Sequence, residues 1–266
     1  MVRGAEVRYG VSGQGQRHLL LVHGSAAHHQ WWHAVLPALE VRWRVVRMDL
    51  SGHGDSAHRG RYDLATWVAD IRSVLAAVGA RDTVLVGHSL GGRVALAAAA
   101  ERPAELGGLL LLDVGVFTPS HLARRRNTAR RRGRREYATY EEATGRFRLV
   151  PDQPAPPSEI LEPVARSSVR PTSAGWTWKY DQQGFPSLYG PFVTESAAAL
   201  KVPVGFVYGE LSQLADAAAA RHLRAAAATE VEIRVMPGAH HHLMLDSPEA
   251  CAALIDELAS GMRTGV

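Results

Sequence analysis

The chain holds a single cysteine, Cys251, so no disulfide can form within it and a reducing, cytoplasmic compartment is expected. No apolar signal-like stretch opens it, and no run reaches the roughly 18 uninterrupted apolar residues of a membrane span. Secretion and membrane insertion are disfavoured, and a soluble protein is expected. No large charge of one sign is present either: 30 Lys+Arg against 26 Asp+Glu leave +4. That excess gathers in Arg124, Arg125, Arg126, Arg130, Arg131, Arg132, Arg134 and Arg135, with only Tyr137 and Tyr140 near. A nucleic-acid surface spreads its cations and interleaves aromatics, so the cluster reads as a solvated helix face or as a steering patch for an anionic substrate. No nucleic-acid partner is expected. What is present suffices for one large core: 266 residues, 46% of them hydrophobic, which excludes disorder. The many alanines and the excess of arginine over lysine suit a GC-rich bacterial genome.

Short apolar runs alternate with helical spacing. Glu6 to Gly10 and His18 to Val22 read as extended segments joined by a glycine-bearing hairpin turn, Ser12-Gly13-Gln14-Gly15-Gln16. Further strands are expected at Arg44 to Met48, Thr83 to Val86, Leu109 to Leu112, Val204 to Tyr208 and Val231 to Val235. Helices are expected over Leu64 to Val78, Gly92 to Glu101, Ala215 to Ala227 and Pro248 to Ala259. Such alternation predicts an α/β fold with a mostly parallel sheet covered on both faces. It stops after Asp113. The stretch 117–196 is Arg-rich, then Pro-rich, then aromatic, and is too long for a loop in a compact domain. It predicts a mainly helical subdomain inserted into a core made of 1–116 and 197–266.

Directly after the strand ending at Val86 comes Gly87-His88-Ser89-Leu90-Gly91-Gly92, and then an alanine-rich helix. A serine at so sharp a strand-to-helix turn is held in a strained backbone conformation with its hydroxyl exposed, and the flanking glycines let neighbouring backbone pass. The helix start adds a positive dipole end. An activated serine needs a base, and the loop after Val235 carries His240-His241-His242. As a metal site those histidines are a weak reading, since consecutive loop residues rarely point at one ion and no carboxylate or thiolate cluster stands at ligand spacing. Neither metal nor cofactor is expected.

With His23-Gly24 after an early strand and Asp49-Leu50-Ser51-Gly52-His53-Gly54-Asp55-Ser56 after the next, the chain resembles the α/β-hydrolase superfamily. The resemblance covers all but the insertion and implies a serine hydrolase cleaving an ester, thioester or lactone of an apolar small molecule through an acyl-enzyme. In similar proteins the catalytic histidine stands seven positions before a helix-starting proline, which selects His241 and leaves His240 at the usual glycine position. The acid usually follows the strand of Val204 to Tyr208 as Gly-x-x-Asp, but Gly209-Glu210-Leu211-Ser212 ends in serine. Asp113, one strand earlier, is favoured, with Asp216 and Glu210 as runners-up. The resemblance also implies an oxyanion hole from the amides of Ser25 and Leu90. It implies a cap, whose Trp176, Trp178, Phe185 and Tyr189 either line the substrate pocket with His88 or pack the cap on the sheet. His242 reads as a packing or pocket residue, His28 and His29 as surface residues, and Asp49 with its turn as structural. The serine disfavours the epoxide-hydrolase and dehalogenase branches. A C–C bond hydrolase or a repurposed, non-hydrolytic metabolite-binding member are the alternatives.

Overall fold

A computed structural model describes residues 4–79, 81–101, 103–115, 135–185, 188 and 192–262. Of the arginine cluster only Arg135 lies among them, and Tyr189 lies outside them. The chain runs β1 (Tyr9–Ser12), β2 (His18–Val22), a 3-10 turn (His29–Trp32), α1 (Leu36–Leu39), β3 (Arg44–Met48), α2 (Leu64–Val78), β4 (Thr83–His88), α3 (Leu90–Ala100) and β5 (Leu106–Leu112). Farther along come α6 (Phe192–Ala199), which straddles the expected boundary at residue 196, then β9 (Val204–Gly209), α7 (Ala217–Ala226), β10 (Val231–Met236), α8 (Leu243–Asp246) and α9 (Pro248–Gly261). The helix predicted from Leu64 to Val78 has the bounds of α2. Its Asp63 side chain caps the Thr66 amide at 2.7 Å, and Gly79 at φ 60 closes it in the left-handed conformation that glycine adopts without a Cβ penalty.

Strand residues divide between two cores with period two, because successive side chains leave opposite faces of a sheet. Leu20 and Val22 join Trp67, Ile71, Val94 and Phe206 on one face, and Leu19 and Leu21 join Trp32, Leu39, Ile255 and Leu258 on the other. Burying each large apolar side chain stabilises the fold by about 1.5–3 kcal/mol, so helices on both faces are what hold the sheet.

The sheet order is β1-β3-β2-β4-β5-β9-β10, with only β1 antiparallel. From β2 the chain steps outward to β3, then returns across β2 to β4 and proceeds the other way. The loops after β2 and β4 therefore diverge from adjacent strand ends. Such a reversal opens a crevice at the carboxyl ends of the strands.

The predicted hairpin is absent, since β1 pairs with β3 and not with β2. Gly13 and Gly15 serve close packing instead: a Cβ on either would stand 2.2 Å from the Trp43 carbonyl or 2.1 Å from that of Arg42. Within the stretch 117–196, the described part holds β6 (Glu136–Tyr137), α4 (Tyr140–Gly145), α5 (Ser158–Ser167), β7 (Val169–Thr172) and β8 (Gly175–Trp178). Its strands form an antiparallel sheet in the order β6-β8-β7, an addition to the helices expected there. Strands of two to four residues, one interrupted by Pro171, carry no readable alternation.

Candidate active site

Between β4 and α3 a single residue, Ser89, makes the turn, at φ 53 and ψ −115. An L residue there costs on the order of 1–3 kcal/mol and persists only when its surroundings hold it. They do. A Cβ on Gly87 would stand 2.5 Å from Gly92 Cα, and one on Gly91 would stand 2.3 Å from the His23 carbonyl, so both glycines are required by backbone passing close to the turn. Gly24 lies against the same turn, its notional Cβ 3.3 Å from Ser89 Cβ. This places the following residue, the exposed Ser25, beside the serine. Leu90 opens α3, where the first amides have no acceptor within the helix.

Three residues from distant parts of the chain form one line. Ser89 Oγ lies 3.0 Å from His241 Nε2, and His241 Nδ1 lies 2.6 Å from Asp113 Oδ1. Asp113 also accepts from the Gly209 amide at 2.9 Å and the Ser212 hydroxyl at 2.6 Å. A carboxylate so supplied accepts from Nδ1–H, which leaves the Nε2 lone pair for the serine proton. Asp113 adopts a left-handed backbone at φ 47, and its amide donates to Val207 at 2.7 Å. Burial pushes its carboxyl up to about 7, against the pull of Ser212, the Gly209 amide and the His88 ring. The other acid candidates are engaged elsewhere, Asp216 capping α7 through the Ala219 amide and Glu210 accepting from the Gly238 amide. His240 turns to Asp246, whose carboxylate accepts from its amide at 2.7 Å.

His88 was expected in the substrate pocket, yet it is 2% exposed, because its strand is central and covered on both faces. Its Nε2 meets the His241 carbonyl at 2.9 Å, so it braces the histidine loop from behind, and burial pushes its imidazole down to about 3. His28, expected at the surface, is buried too, its Nε2–H donating to Ser168 Oγ at 2.9 Å. His29 is held by Asp49 through its amide and ring. The aromatics of the insertion pack. Trp176 and Trp178 join Tyr137 and Tyr140 in a small core of its own, and Phe185 stacks on His53 at 4.1 Å. The sequence reading passed over Trp31, which lies 5.1 Å from the His242 ring and 6.0 Å from Phe147 and so links the insertion to the histidine loop. Its position in the same post-β2 loop as Ser25 was the available signal.

His88, His241 and His242 bring ring nitrogens within 4.8 Å of one another, a grouping that could hold a metal. Both His241 nitrogens already face Ser89 and Asp113, so an ion using that ring would displace one of them.

Known proteins resemble the chain in sequence and in fold. A Mycobacterium tuberculosis esterase is 28% identical over 247 residues, 89% of this chain and 80% of its own length. A serine hydrolase-like protein of Danio rerio is 29% identical over 62% of this chain and 55% of its own length. The chain spans 41% of a Mycobacterium tuberculosis lipase and 34% of the Mus musculus epoxide hydrolase 4 that it also matches. Among solved structures, a thioesterase domain from the curacin biosynthetic pathway superposes with a TM-score of 0.78 at 25% identity, covering 96% of each chain. No helix among the described residues is long and apolar enough to cross a membrane. With residues 19–254 matching the family model, the chain belongs to the alpha/beta hydrolase family.

Proposed function

We propose that the protein is a serine hydrolase cleaving an ester, thioester or lactone of an apolar small molecule, with Ser89, His241 and Asp113 as its triad and the region 117–196 as its cap. The observation that carries this reading is the unbroken line from Ser89 Oγ through both nitrogens of His241 to Asp113. Ser89 Oγ attacks the carbonyl carbon while Nε2 takes its proton, and the amides of Leu90 and Ser25 receive the developing oxyanion. Nε2–H then protonates the leaving group, giving the acyl-enzyme. Water repeats the cycle and releases the acid. Asp113 holds the ring in the tautomer this needs and stabilises its protonated form. The esterase and lipase relatives and the thioesterase neighbour support the ester and thioester classes. An epoxide hydrolase opens its substrate through an alkyl ester on a carboxylate, and position 89 offers a hydroxyl instead.

The test is a panel of p-nitrophenyl esters and acyl thioesters graded by chain length, with fluorophosphonate labelling. Wild type should turn over and label at Ser89, and Ser89→Ala should lose both, activity falling at least about a thousandfold. Undiminished hydrolysis by that variant would reject the nucleophile.

A further inference from the structure

Asp113 shares one carboxylate oxygen between two donors, and the second has no role in the mechanism above. Ser212 Oγ stands 2.6 Å from Oδ1, the oxygen that also meets His241 Nδ1. The same Oγ lies 3.1 Å from the Leu214 amide and 3.2 Å from that of Ala215. Amides only donate, so they occupy both lone pairs of the hydroxyl and leave its single proton for the carboxylate. The rotor is thereby fixed. We propose that Ser212 is a positioning residue whose hydroxyl, locked by two backbone amides, keeps the Asp113 carboxylate ionised and aimed at His241.

The fold supplies the reason. Strands β5 and β9 are neighbours in register, Leu112 opposite Val207, so the residues that follow both meet at the Asp113 carboxylate. Ser212 stands where similar proteins carry the acid, three residues after Gly209. With the acid at 113, that position retains a donor. Three donors converge on Asp113: His241, Ser212 and the Gly209 amide. His88, its imidazole pushed down by burial, faces the pair as a neutral ring, whereas Asp246 is a like charge. A donor to a carboxylate favours its charged form, so removing one raises the pH at which the acid–histidine pair takes up its proton.

The inference rests on the triad reading, and its experiment separates the two. The pH profile of kcat/KM on a p-nitrophenyl ester is compared for wild type, Ser212→Ala, Ser212→Thr and Ser212→Cys. The alanine variant should move the acid limb up by about one pH unit, as expected for a lost hydrogen bond to a charged group. Threonine, which keeps the hydroxyl, should restore the wild-type limb, and cysteine, a weak donor, should shift it in the same direction as alanine. The limb should move even where stability changes little, which loop packing alone would not produce. Coincident limbs for wild type and the alanine variant overturn the role of Ser212 while leaving the hydrolase standing; if alanine does not fold, coincidence of the cysteine limb does so. A wild type silent on every ester and thioester overturns the triad reading, and this inference with it.

Discussion

Asp113 Oδ1 and His241 Nδ1 meet at 2.6 Å although they stand 128 positions apart in the chain. The contact depends on adjacent parallel strands. Asp113 leaves β5 where its amide bonds Val207 of β9, and the histidine loop follows β10 on the far side of β9.

Replacing Asp113 with asparagine removes the charge and offers an amide that can reverse the preferred tautomer of His241. Activity should fall by about a thousandfold or more with secondary structure retained. Asp216→Asn should leave kcat unchanged, since asparagine caps a helix as well as aspartate does. Equal losses in the two variants would return Asp216 to candidacy.

The elbow glycines give a packing prediction. A Cβ on Gly91 would stand 2.3 Å from the His23 carbonyl and 2.5 Å from that of Val22, and neither backbone can yield without moving β2. Gly91→Ala should cost about 3 kcal/mol in urea unfolding. Gly145, at the end of α4, has open space around its notional Cβ, and Gly145→Ala should be neutral or stabilising by about 0.5–1 kcal/mol. Similar effects at the two positions would contradict the geometry.

The core was legible because strand and helix periodicities differ and because Asp63 and Gly79 punctuate α2. Ser89 was legible because a serine between close-packed glycines has a local signature. The proposed acid was not legible from spacing alone: several strand-end carboxylates meet that description, and only the pairing of β5 with β9 brings Asp113 to the ring. The burial of His28 and His88 was equally hidden, since a histidine carries no local sign of the segment that will cover it. In the first case that segment is Ser168, 140 residues away.

The seam between the insertion and the core is polar as well as aromatic. Tyr62 donates its hydroxyl to Asp181 Oδ2 at 2.7 Å, both residues buried, and the Asp181 amide donates to the Gly52 carbonyl at 2.8 Å. A double-mutant cycle with Tyr62→Phe and Asp181→Asn should return a coupling of about 1.5–3 kcal/mol in unfolding free energy, the range of hydrogen bonds to charged groups. Simple additivity would mean that this side-chain hydrogen bond contributes nothing to holding the insertion on the core.

Buried histidines should make the fold acid-sensitive. His28 is satisfied when neutral: its Nε2–H donates to Ser168 Oγ and its Nδ1 accepts from the Gln30 amide, leaving no acceptor for a second proton. Burial pushes its imidazole down to about 3, with Asp49 opposing. Between that value and the ordinary 6.5 the unfolded chain binds a proton that the folded chain does not, so stability falls as pH falls. His88 acts in the same sense. Asp113, pushed up to about 7, acts in the opposite sense and stabilises the fold as pH drops toward its ordinary range. A single-site comparison isolates the first effect. Between pH 7 and pH 5 wild type should lose about 2 kcal/mol more than His28→Gln, read from urea midpoints at both values. Parallel losses would show that the imidazole protonates within the fold, and that the Gln30 amide does not hold Nδ1.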